Sequence, residues 1–71
     1  MKSYTYEVVF ELIRDFCGTL ISIGVPMEEV YKIQEHHFDN LMASYKDVNK
    51  LENIGVVLET GIESIEVLCK H

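Results

Sequence analysis

Between Tyr4 and Ile23 hardly any face of a helix would be polar. At about 100° per residue, Tyr6, Val8, Val9, Phe10, Leu12, Ile13, Phe16, Cys17, Leu20, Ile21 and Ile23 cover an arc of about 220°. Glu7, Glu11, Arg14, Asp15, Gly18 and Ser22 share the remainder. A surface helix normally carries a narrower apolar stripe, and one apolar almost all round is normally buried. A chain of 71 residues has little material with which to bury it. The segment therefore demands two neighbouring helices and, beyond them, a second chain or another partner.

Size sharpens that demand. A domain this small buries only about 60% of its unfolded surface, so its core is marginal. Disulfides, a metal or oligomerisation usually supply the rest. Apolar residues make up 48% of the chain, too many for a disordered one. The whole of 1–71 reads as a single helical domain.

Twelve Asp and Glu oppose six Lys and Arg, for a net charge of −6. That balance argues against direct binding to nucleic-acid backbones or anionic membranes, which need clustered positive charge. Cys17 and Cys69 are too few for a disulfide framework and read as thiols in a reducing cytoplasm. Glu7, Glu11, Arg14 and Asp15 interrupt the N-terminal apolar stretch, so it does not read as a secretory signal. The uncharged run Phe16 to Met27 is too short and too rich in Gly and Pro to span a membrane, which takes about 20 residues.

Two breaks divide the chain. Gly24-Val25-Pro26 offers a left-handed helix stop followed by a proline start, with Glu28 and Glu29 at the favourable positive end of the next helix. The second break lies at Lys46 to Asn49, where Asn49 and Glu52 have capping-box spacing and Asp47 competes as the cap. Helices are expected over about 4–23, 26–46 and 50–70, packed as an antiparallel three-helix unit. A helical hairpin that completes its bundle only as a dimer is the alternative.

Val9, Leu12, Ile13, Phe16, Leu20 and Ile23 are the expected core face of the first helix. Met27, Val30, Tyr31, Phe38, Leu41, Met42 and Tyr45 share a face of the second, with Ile33 at its margin. Leu51, Ile54, Leu58, Ile62, Ile65, Leu68 and Cys69 serve the third. Gly55 and Gly61 either let another helix approach closely or break this one.

No constellation names a reaction. The stretch Leu20 to Val30 has the turn glycine of a helix–turn–helix, but Met27-Glu28-Glu29 would set carboxylates against phosphate. His36 and His37 point about 100° apart on a helix and cannot share one ion. A Cys17, Cys69 and His71 metal site is conceivable at one end of the bundle, but close ligand pairs are lacking. His37 sits at the edge of the apolar face and reads as a boundary residue with a satisfied ring nitrogen, a pH-switched interface being the alternative. The carboxylate pairs lie on polar faces, where nothing shifts them toward general-acid work. No catalytic residue, cofactor or metal is therefore expected.

The expectation is a small cytoplasmic interaction protein, a regulator, adaptor or inhibitor of bacterial or phage type. It assembles as a homodimer or binds another protein through the first helix. Its surface is the flank Tyr6, Phe10, Cys17 and Ile21 beside Arg14. The alternative is an acidic nucleic-acid mimic that blocks a DNA- or RNA-binding protein. It would use the stripe Glu52, Glu59, Glu63 and Glu66.

Overall fold

The computed structural model describes residues 4–69, with side chains through Leu68. Three helices pack together: α1 (Tyr6–Ser22), α2 (Met27–Ala43) and α3 (Val48–Cys69). No strand occurs among the described residues. Tyr6 meets Tyr45 and Phe10 meets Phe38, so α2 runs back along α1. Tyr4 lies against Gly55 and Phe16 against Gly61, so α3 returns in the direction of α1. This is the up-down-up order that the short connections imply.

Each helix end has a local cause. Thr5 caps α1, its hydroxyl accepting the Val8 N–H at 3.2 Å. Gly24 (φ +92°) ends that helix. Its N–H donates to Ile21 C=O, and the Val25 N–H reaches back to Leu20 C=O. These are the paired bonds of a Schellman stop, with Val25 and Leu20 both in or against the core. Pro26 is the residue flanking α2 rather than its first helical residue, and its carbonyl receives the Glu29 and Val30 N–H groups.

The second junction departs from expectation. α2 ends at Ala43 instead of running to about 46. The buried Ser44 closes it, its hydroxyl donating to Asn40 C=O at 2.7 Å. Asp47 caps α3 by accepting the Lys50 N–H at 3.2 Å. Asn49 is therefore inside the helix, and the Asn49–Glu52 capping box does not form. Once the chain has turned at Ser44 to Lys46, Asp47 is the first side chain that can reach the free N–H groups of α3.

α1 is the middle helix. Val9, Ile13, Cys17 and Leu20 provide half of the buried apolar residues. Val30 and Leu41 of α2 and Leu51 and Leu58 of α3 join them in one cluster. α2 and α3 scarcely touch one another. The molecule is accordingly flat, with extents of 37 × 29 × 14 Å. Two helices packed side by side are about 13–15 Å across their Cα atoms. The fold is thus one pair of helices thick and much wider than a close-packed triangular bundle.

That openness corrects several core assignments. Ile23, Met27, Tyr31, Met42, Tyr45 and Leu68 are exposed. Leu12, Phe16, Ile54, Ile62 and Ile65 are half-buried. Cys17 moves the other way and lies in the core, in the row of Val9 and Ile13. Gly55 and Gly61 do not break α3. They leave room for the rings of Tyr4 and Phe16 rather than for another helix backbone.

Candidate interaction surface

One exposed concavity is a groove between α1 and α2. Tyr6, Phe10 and Arg14 of α1 face Gln34, Phe38 and Met42 of α2 across a volume of about 380 Å³. Successive turns of α1 supply the first three, at i, i+4 and i+8, which places them on one face. Phe10 and Phe38 meet at a centroid distance of 5.2 Å, and Tyr6 and Tyr45 edge to face at 5.8 Å. These ring contacts give the floor a fixed shape.

Helical spacing extends the strip beyond the groove itself. Ile21 follows Arg14 by seven residues on α1, while Met27 and Tyr31 precede Gln34 and Phe38 by seven on α2. All three are exposed. The exposed surface is therefore built by two helices, not one. It holds Tyr6, Phe10, Arg14 and Ile21 of the expected flank. Cys17 is not part of it: it is buried in the core, and burial pushes its thiol pKa up.

The residues that complete the groove, Gln34, Phe38 and Met42, belong to the face of α2 that the sequence assigns to the core or leaves unassigned. A signal was present: that face is also wider than a single neighbouring helix can cover. Rows of exposed carboxylates flank the strip on both helices. Glu7 and Glu11 lie beside Phe10, and Glu28, Glu35 and Asp39 beside Tyr31 and Phe38.

No family model, curated protein or solved structure matches the chain. The site is therefore read from its own chemistry.

A second concavity lies between α2 and α3. His36, His37, Asn40, Asn53, Ile54 and Val57 line about 270 Å³. His37 stands edge-on to Phe16 at 5.7 Å, and His36 lies 5.6 Å from it. Burial, followed by the neighbouring His36, holds the His37 pKa below its ordinary value. The amide nitrogen of Asn40 lies 3.3 Å from His36 Nε2. No three His, Cys, Asp or Glu side chains among the described residues come together as a metal site. The Cys69 side chain and His71 lie outside the described residues.

The acidic stripe on α3 is uneven. Glu52, Glu63 and Glu66 are exposed, whereas Glu59 is half-buried and already engaged. Among the described residues no helix is long and apolar enough to cross a membrane.

Proposed function

We propose that this chain is a small protein–protein interaction protein, acting as a regulator, adaptor or inhibitor. It works by closing the α1/α2 groove against another polypeptide, either a second copy or a different protein. One observation carries the reading: aromatic and aliphatic side chains from two helices converge on an exposed concave strip. Contiguous apolar surface of this kind usually marks an interaction site. Burying each large side chain fully is worth roughly 1.5–3 kcal/mol. Several together offset the association entropy.

Phe10 sits at the centre of the strip and only partly in the fold, so Phe10→Glu removes the surface while sparing the core. Light scattering and affinity capture from native lysate, with both forms of the protein, test the idea. The unmodified chain is expected to dimerise or to retain a protein that Phe10→Glu loses, with helical circular dichroism unchanged. A monomer whose captured proteins are the same with and without Phe10 would rule the reading out.

A further inference from the structure

The exposed charges around the groove say more about its occupant. On α2, Glu28, Glu35 and Asp39 stand at i, i+7 and i+11, one row outside Tyr31 and Phe38. On α1, Glu7 and Glu11 stand beside Phe10, all of them exposed. Arg14 is the one cation lining the groove. Lys32 stands in the same row of α2 as Glu28 and Asp39, so that rim carries three carboxylates against one lysine. An apolar floor thus runs between two rims of net negative charge.

We infer that the groove receives an amphipathic helix from a partner protein, with an apolar stripe bordered by Lys or Arg. The inference rests on the interaction reading above and names its partner. From Tyr6 to Ile21 the strip is about 22 Å long, matching about 15 residues of helix. A helix in such a groove is anchored by apolar side chains at i, i+4, i+7 and i+11. Basic residues on either side of that stripe meet Glu7 and Glu11 along one rim and Glu35 and Asp39 along the other. A second copy of this chain fits less well. It brings a net charge of −6 and the same acidic rims to the same place, and like charges across an interface are repulsive.

The test uses synthetic helical peptides of about 15 residues with a Leu/Phe stripe, bordered either by Lys or by Glu. A third peptide carries the Lys borders with Ser in place of the stripe. Binding to the intact chain is read by fluorescence anisotropy at low salt and at about 0.5 M salt. The Lys-bordered peptide is expected to bind at least about tenfold more tightly than the Glu-bordered one, a difference of about 1.4 kcal/mol. The gap should narrow with salt, Phe10→Ser should weaken both, and the Ser-stripe peptide should not bind. Glu35→Lys with Asp39→Lys, both exposed, should abolish or reverse the preference.

Equal affinity of the two bordered peptides overturns the inference, as does a preference that survives the double variant. So does failure of the Lys-bordered peptide to bind. If that failure comes with a dimer that Phe10→Glu dissociates, the second copy is the occupant, and the interaction reading stands without the basic helix.

Discussion

Cys17 shows how one residue's role turns on a few degrees of helix rotation. On the wheel it borders Phe10 and Ile21, yet its side chain is 6% exposed. Cys17→Ser is expected to cost about 1–3 kcal/mol, because a hydroxyl then replaces a weakly polar thiol in an apolar site. Thermal unfolding measures the loss. In a Cys69→Ser background the remaining thiol should react with a disulfide reagent only on unfolding, since burial both shields it and disfavours the thiolate. His37 carries the opposite kind of information. Its folded pKa lies below the ordinary 6.5, so the unfolded chain takes up protons first as the pH falls. The contribution of His37 is complete above about 6.5 and is lost between that value and the lower folded one. Melting temperature should fall between pH about 7.5 and about 5.5, and His37→Gln should flatten that profile. An unchanged slope in the variant would assign the loss to other groups.

At the scale of the helices, two glycines of similar sequence context do different things. Gly18 lies within α1 with nothing near the position of an added Cβ. Gly18→Ala is expected to stabilise by about 0.5–1 kcal/mol, through backbone entropy alone. Gly24 also has open space, but its φ of +92° is poorly suited to any L side chain. Gly24→Ala should destabilise by about 1–2 kcal/mol. Chemical denaturation of the two variants should therefore move in opposite directions; a shared direction would refute the Schellman assignment. Gly24 and Pro26 made this junction legible in the sequence, since both act through local backbone geometry. The end of α2 was less legible. Ser44 stops that helix by bonding back to Asn40, and no special residue marks the position in advance.

For the molecule as a whole, the consequence of flatness is an uneven core. Leu58 is 1% exposed and Leu41 fully buried, so truncation of either to Ala should cost about 2–5 kcal/mol. Leu12 is only half-buried, and Leu12→Ala should cost distinctly less. Equal losses for Leu12 and Leu58, measured by calorimetry, would mean that α1 is enclosed more completely than the open arrangement allows. The same flatness creates the groove. No residue of α3 lines the groove between α1 and α2, so no third helix closes it.

The number of helices, their boundaries to within a few residues and the surplus apolar surface of α1 followed from the sequence. Those features depend on periodicity, caps and turn residues, which are local. The identity of the surplus did not follow. The wheel puts Cys17 outside and Met42 and Tyr45 inside, whereas the fold does the reverse. A wheel orders residues around one axis but does not say how wide an arc each neighbour covers. Tertiary packing decided that by setting α2 and α3 each against the buried stripe of α1 with little contact between them. The apolar excess of α1 thereby became a groove shared with α2, and its acidic rims acquired a direction to face.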